Sequence, residues 1–316
     1  MRAVELVEAH EMRLVELDQP EPGPGEVLLR IEACGVCGSD VSSYKLGLSS
    51  GVIGHEIAGR LDGGALAAID PKVPCGQCDD CRSGHENRCI DTLTKPVLRP
   101  GGYTEWLVVP KELVYELPPE VPPQVGALAE PLSVAVHAVS RSEIEAGTPA
   151  LVVGLGSIGL LTVIALRAAG ASPITAVEPN AARRALGERL GVQRAVASAG
   201  QARTGLDRVP VVIECSGRPD ALQTAVDMAD SGGTVVLAGI AVAEVTLTPV
   251  FLITRELRVL GSITATHDDF RRAVQLLPQH PELAEITTPV GLEELPELFE
   301  RLAAGEVPPA KPLVIP

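Results

Sequence analysis

Apolar and polar positions follow two different rhythms along the chain, and the rhythm changes near residue 149. Beyond that point, short apolar runs lie at 150–153, 173–178, 210–215, 234–239 and 257–263. They alternate with segments of helical period at 157–169, 180–190, 219–230 and 249–255. Strands without a polar face, separated by helices, predict a parallel sheet covered on both sides. The tail predicts helices near 267–277 and 293–304 and a last strand at 312–315.

Before residue 149 the pattern is strand-like and cut by turns. Residues 1–60 read as β-rich. Val27–Ala33 alternates after the Pro/Gly loop 19–25, and 57–61 and the stretch 101–117 also read as strands. Asp62-Gly63-Gly64 is a tight-turn signal. Glu130-Pro131-Leu132 opens an apolar helix, 133 to about 140, that links the two halves, with its proline in a tolerated place.

The strongest single stretch is Leu151–Leu161, an apolar strand running into Gly154-Leu155-Gly156-Ser157-Ile158-Gly159 and then a helix. The glycines permit the turn, the approach of a pyrophosphate, and close packing of helix on strand. The helix N-terminus offers free N–H groups to phosphates. Glu178 follows 22 residues after Gly156, at the end of the next strand, where a carboxylate suits the ribose hydroxyls of NAD and repels the 2′-phosphate of NADP. Arg183 and Arg184 lie just beyond and would relax that preference. The reading favours NAD over NADP. Residues 146–166 carry no charge, but Pro149 and three glycines within six residues argue for a buried strand–turn–helix and against a membrane span.

Composition narrows the function classes. The 316 residues are 46% apolar, enough for two cores, and the net charge is −15 with one Trp, three Tyr and three Phe. An acidic chain lacks the clustered Lys and Arg of a nucleic-acid surface. Met1–Glu5 has no charged-then-apolar leader, which sets the expectation of a cytoplasmic protein. Of seven cysteines, four form Cys75-x2-Cys78-x2-Cys81-x7-Cys89. Four thiolates on a short loop can close a tetrahedral zinc shell that does structural work. An iron–sulfur cluster is the rival occupant, and disulfides are disfavoured. Cys34 and Cys215 read as buried structural thiols and His137 as a packing histidine. Cys37, His55, Glu56 and Glu130 are metal-ligand types scattered through the first half, and their spacing alone leaves a structural role open.

Gly35-Val36-Cys37-Gly38-Ser39-Asp40, Gly54-His55-Glu56, the four-cysteine lobe, Glu130-Pro131-Leu132 and the glycine turn occur in that order. With them the chain resembles the zinc-containing medium-chain dehydrogenase/reductases, in the polyol (sorbitol) and threonine dehydrogenase-like branch. The resemblance implies a Rossmann domain over 132–264 and a GroES-like catalytic domain over 1–131 and 265–316, with the zinc lobe at 75–89. It implies one catalytic zinc on Cys37 and His55, with Glu56 and Glu130 sharing the remaining ligation or exchanging with water, and one structural zinc on Cys75, Cys78, Cys81 and Cys89. Asp40 would orient the zinc histidine, Ser39 would take the alcohol proton, and Tyr44 would line the substrate pocket. Gly154, Gly156, Ser157, Ile158, Gly159, Glu178, Arg183, Ser216, Gly239 and Ser262 would contact the cofactor.

The implied reaction is hydride transfer between a secondary alcohol (polyol, sugar derivative, aminocyclitol or amino alcohol) and NAD(P), in a homodimer or homotetramer. Two departures from the family stand out. The hairpin at 62–64 replaces a longer segment, and Ser42 stands where a relay histidine is usual. A zinc-poor enone or quinone reductase and a non-catalytic zinc and nucleotide sensor are the alternatives; zinc stoichiometry and alcohol-dependent turnover separate them.

Overall fold

The computed structural model describes residues 1–91, 100–240 and 243–316. The chain divides into two compact units, Met1–Glu130 with Thr266–Pro316, and Pro131–Ala265. The divisions fall beside those expected at 131/132 and 264/265.

The second unit is built on a six-stranded parallel sheet. Its spatial order is Arg194–Val196, Ile174–Val177, Ala150–Val153, Val209–Glu214, Ala229–Leu237 and Arg258–Gly261. The direction of winding reverses between Ala150–Val153 and Val209–Glu214. That is where an open parallel sheet forms a crevice at the carboxyl ends of its strands. Ala150–Val153 is wholly buried, and the helix Ser157–Ala168 buries every residue from Gly159 to Leu166, which explains the uncharged run there. The short edge strand Arg194–Val196 and the helix Ala199–Gly205 were not legible in the apolar pattern. Each is too short and too polar to show a period.

The first unit carries a seven-stranded sheet. Thr287–Gly291, Lys311–Ile315, Glu26–Gly35, Glu56–Leu61, Leu66–Ile69 and Val114–Glu116 follow one another, with Trp106–Pro110 also paired to Glu26–Gly35. All pairs but the first are antiparallel. A smaller sheet joins Glu11–Glu16, Arg2–Glu8 and Gly51–Val52. Leu6, Leu29, Tyr103, Leu107 and Phe299 are fully buried in the core between them.

Two helices differ from the sequence reading. Gly38–Leu46 is helical where the pattern shows no apolar face; its start is set locally by Asp40, whose Oδ2 accepts from the Cys37 N–H at 3.1 Å. The helix read as 133–140 runs from Ala129 to Ser142, because Pro131 is accommodated inside its first turn.

A buried polar cluster ties the cysteine lobe to the rest of the first unit. Asp70 is fully buried. Its Oδ1 lies 2.5 Å from Lys72 Nζ and its Oδ2 2.7 Å from His267 Nδ1, while the His267 N–H donates to Glu86 of the lobe at 2.7 Å. Burial alone would raise the Asp70 carboxyl, but His267 and Lys72 outweigh it and hold it below its ordinary value. A lowered folded value means stability that is present above the ordinary carboxylate range and lost as pH falls through it. Asp70→Asn leaves Lys72 buried without its counter-charge. It is expected to cost about 3 kcal/mol, read as a lowered denaturant midpoint at pH 7, and to flatten the acid limb of stability against pH below about pH 5.

Candidate functional site

In the first unit the fold brings together residues from two separate stretches. The strand Glu26–Gly35 ends just before Cys37, and Glu56 opens the neighbouring strand with Gly35 paired directly to it. Cys37, at the cap of the helix Gly38–Leu46, therefore faces His55 and Glu56. One donor atom from each of these three residues lies within 4.8 Å of the others. A thiolate, an imidazole and a carboxylate at this spacing match the ligand types of a catalytic zinc site, which keeps a position open for substrate.

Asp40 organises this cluster. It is buried, with Oδ1 3.3 Å from His55 Nδ1. Its Oδ2 accepts from the Cys37 N–H at 3.1 Å and from the Tyr103 hydroxyl at 2.7 Å. Burial would raise the Asp40 carboxyl, but His55 and these hydrogen bonds lower it. Burial likewise disfavours the His55 cation, yet Asp40 and Cys37 beside it hold the imidazole well above its ordinary value. A zinc ion would take that positive role on binding, since ligating histidine must be neutral.

Glu56 has a partner that the sequence did not reveal. Lys311, from the last strand, is buried, with Nζ 2.7 Å from Glu56 Oε1 and 2.6 Å from Oε2; it also donates to the Val36 carbonyl at 3.2 Å. Burial would lower the Lys311 amine, but Glu56 and Cys37 outweigh that and keep it charged. The Glu130 carboxyl is pushed up by burial and by Glu56, against the pull of His55, Lys72 and Lys311, so it shares the field of this cluster.

Ser39 is exposed in the first turn of the helix after Cys37. Tyr44 lies elsewhere. Its ring is buried against Phe299 with centroids 5.6 Å apart, and its hydroxyl donates to the His10 carbonyl at 3.1 Å. Helical phase turns it into the core, which differs from the pocket-lining position that the resemblance implied.

The four lobe cysteines also converge. Their sulfurs lie within 4.8 Å of one another, with Cys78–Cys81 at 3.4 Å and Cys75–Cys81 at 3.9 Å. A tetrahedral ion with about 2.3 Å bonds to sulfur needs sulfur pairs roughly 3.8 Å apart. The N–H groups of Cys75, Cys78 and Cys81 donate to Cys89, Cys75 and Cys78 sulfurs at 3.3–3.5 Å, which turns the four sulfurs toward one point. None of the seven cysteines is in a disulfide.

In the second unit the expected cofactor residues gather at the carboxyl ends of the parallel strands. Gly154 has φ 91°, and a Cβ on Gly159 would lie 1.8 Å from the Gly154 carbonyl oxygen, so the turn and the helix fit together only as glycine. The helix opening at Ser157 has no side-chain cap, leaving its first amides directed outward. Glu178 is buried, accepting from the Leu155 N–H and the Asn180 N–H, each at 2.8 Å. Arg184 Nη1 donates to the Glu178 and Pro179 carbonyls, and Arg183 lies beside Gly156. Glu214 was not anticipated. It accepts from the Ser216 N–H and hydroxyl and the Gly217 N–H at 2.5–3.0 Å, fixing the loop next to Gly239. Ser262 continues the edge strand, its N–H donating to the Leu237 carbonyl.

Comparison with known proteins agrees with this geometry. Residues 23–119 match the family described as the alcohol dehydrogenase GroES-like domain, and residues 157–279 match the zinc-binding dehydrogenase family. L-threonine 3-dehydrogenase of Pyrococcus horikoshii is 30% identical over 322 residues, covering 93% of this chain and 92% of that protein. Among solved structures, an NADP-bound protein from Sinorhizobium meliloti 1021, described as a zinc-binding dehydrogenase, superposes with TM-score 0.91 at 33% identity over 100% of this chain and 99% of its own. Galactitol-1-phosphate dehydrogenase from Escherichia coli superposes with TM-score 0.90 at 26% identity over the whole of both chains.

Proposed function

The chain belongs to the zinc-type medium-chain dehydrogenase/reductases, in their polyol and threonine dehydrogenase-like branch, and from that premise we propose how its own residues carry the reaction. It is an NAD(P)-dependent dehydrogenase that interconverts a secondary alcohol and its ketone. The observation that carries the site assignment is the Cys37–His55–Glu56 donor cluster buttressed by Asp40.

When bound, the catalytic zinc supplies a Lewis acid to the substrate oxygen and the nicotinamide accepts the hydride. Cys37 and His55 would hold the zinc, with Glu56, neutralised by Lys311, and Glu130 sharing the remaining ligation or exchanging with water. Asp40 fixes the orientation of the His55 ring. Ser39, exposed beside Cys37, takes the alcohol proton and hands it to solvent; Ser42 is bonded to the Gly38 carbonyl at 3.1 Å and adds no titrating group to that path. Cys75, Cys78, Cys81 and Cys89 would hold a second, structural zinc.

The substrate class is a polyol, sugar derivative, aminocyclitol or amino alcohol. A screen over these with both cofactors tests it. Alcohol-dependent NADH formation with about two zinc per chain supports the assignment; one zinc and no turnover on any alcohol sinks it.

We further propose NAD as the preferred cofactor. Glu178 directly follows the second strand of the unit, and Arg184 is committed to two backbone carbonyls, which leaves it poorly placed for a 2′-phosphate. Glu178→Ala is expected to lower kcat/KM for NAD by roughly 10- to 100-fold and to narrow the NAD/NADP ratio, measured by initial rates. An unchanged ratio would refute the assignment of Glu178.

A homodimer or homotetramer is also proposed. Among the described residues, no strand pairs with the outer side of the edge strand Arg258–Gly261, and Val250, Phe251, Ile253 and Val259 are exposed on and near it. Light scattering on the purified protein decides this. Four lobe cysteines gathered at metal-ligand spacing suit a cytoplasmic location. Among the described residues, no helix is long and apolar enough to cross a membrane.

A further inference from the structure

We propose that Tyr103 is a positioning residue for the Cys37–His55 metal centre, acting through Asp40. The ring is fully buried, and its hydroxyl lies 2.7 Å from Asp40 Oδ2 as donor, with the Gly35 carbonyl farther off at 3.4 Å. That carboxylate oxygen also takes the Cys37 N–H. Two donors on Oδ2 leave Oδ1 as the oxygen facing His55. The hydroxyl therefore decides which way the carboxylate is turned, and so how firmly the imidazole is aimed.

The tyrosine is itself held by the stretch that carries His55. Gly101, Gly102 and Tyr103 donate their N–H groups to the carbonyls of Val52, Gly54 and Ile53 at 2.8, 2.8 and 3.0 Å. The Tyr103 carbonyl accepts from the Val4 N–H at 2.9 Å, which bolts the far side. The ring lies directly on Gly54, the residue before His55. Gly54 has φ 99°, and a Cβ there would sit 2.8 Å from two ring carbons. Phe299 meets the ring edge-on with centroids 6.0 Å apart. Backbone, ring and hydroxyl of one residue thus fix the segment before His55 and the carboxylate behind it. Because a bond from hydroxyl to carboxylate is charge-assisted and buried, losing it should be felt at the metal, as loss of outer-sphere partners generally is.

Tyr103→Phe tests this, since it keeps the ring on Gly54 and deletes only the hydroxyl. Zinc affinity is measured on the metal-free protein by competition with a chromophoric chelator, with Cys37→Ala as the reference that retains the four-cysteine site alone. The expected result is about tenfold weaker zinc binding at the Cys37–His55 site, unchanged binding at the four-cysteine site, and unchanged circular dichroism. Adding Tyr103→Phe to Asp40→Asn should weaken binding no further, because the two act as one unit. Wild-type affinity in Tyr103→Phe, equal loss at both sites, or full additivity with Asp40→Asn would each overturn the inference. It rests on the zinc reading of Cys37 and His55. If that reading fails, the wild-type protein shows no second zinc site; if only the tyrosine inference fails, the site is there and indifferent to the hydroxyl.

Discussion

Cys37→Ala is expected to abolish alcohol oxidation, by roughly 10³-fold or more in kcat, while the fold persists. The size of the effect follows from what the residue holds. A Lewis acid on the reacting oxygen contributes several kcal/mol of transition-state stabilisation, and each 1.36 kcal/mol, or about that, is worth tenfold in rate. The retention of the fold follows from how Cys37 is used structurally. Its N–H donates to Asp40 and its carbonyl accepts from the Asp40 and Val41 N–H groups, so the helix start depends on its backbone and survives the loss of the thiol. Its side chain is only partly buried, and no core cavity opens. Zinc content should fall from about two to about one per chain, with the thermal midpoint within a few degrees of wild type. Full turnover in Cys37→Ala would show that the donor cluster at the end of Glu26–Gly35 is not the reaction centre.

The sequence disclosed the two halves of the molecule unequally. The glycine turn is contiguous, so strand, turn and helix are read directly from residues 150–168. The Cys37–His55–Glu56 donor cluster is assembled by strand pairing between distant segments, and its members emerged from motif order instead of spacing. Lys311 illustrates the limit. It reaches Glu56 because Lys311–Ile315 lies against Glu26–Gly35, which in turn lies against Glu56–Leu61, a register that no local pattern encodes. Tyr103 was hidden in the same way. The expectation of strands over 101–117 located it approximately, but the bond to Asp40 crosses 63 positions of sequence. Tyr44 was placed in the pocket by the family resemblance alone; the helix Gly38–Leu46 turns its ring inward toward Phe299. Glu214 carried a weak signal, since it ends a buried strand as Glu178 follows another; both carboxylates accept backbone amides of the loops beyond those strands.

Cys78→Ala is expected to produce the opposite phenotype to Cys37→Ala, with stability failing first. Residues 75–89 have little apolar interior; Cys75, Cys78 and Cys81 are only partly buried, and among the described residues of that stretch Asn87 and Cys89 alone are fully buried. Their order comes from the four sulfurs and from short polar links such as Asp80 to Arg88 at 2.8 Å, which is worth little on its own exposed site. Metal binding to such a loop is folding energy, on the order of 10 kcal/mol in isolated zinc peptides. Cys78 is also the N-cap of the turn Asp79–Arg82, its sulfur accepting from the Cys81 N–H, so its loss removes a ligand and a cap together. Once the lobe opens, Glu86 no longer holds the His267 N–H, and the disturbance spreads to the buried Asp70–Lys72 pair. The variant should therefore bind about one zinc, at Cys37 and His55, and unfold at clearly lower denaturant concentration than wild type or Cys37→Ala. Proteolysis should begin within 75–89. Activity measured at low temperature before unfolding should remain within a few-fold of wild type. If Cys78→Ala keeps wild-type stability and loses turnover at once, the four cysteines serve the reaction and the division of labour between the two sites is reversed.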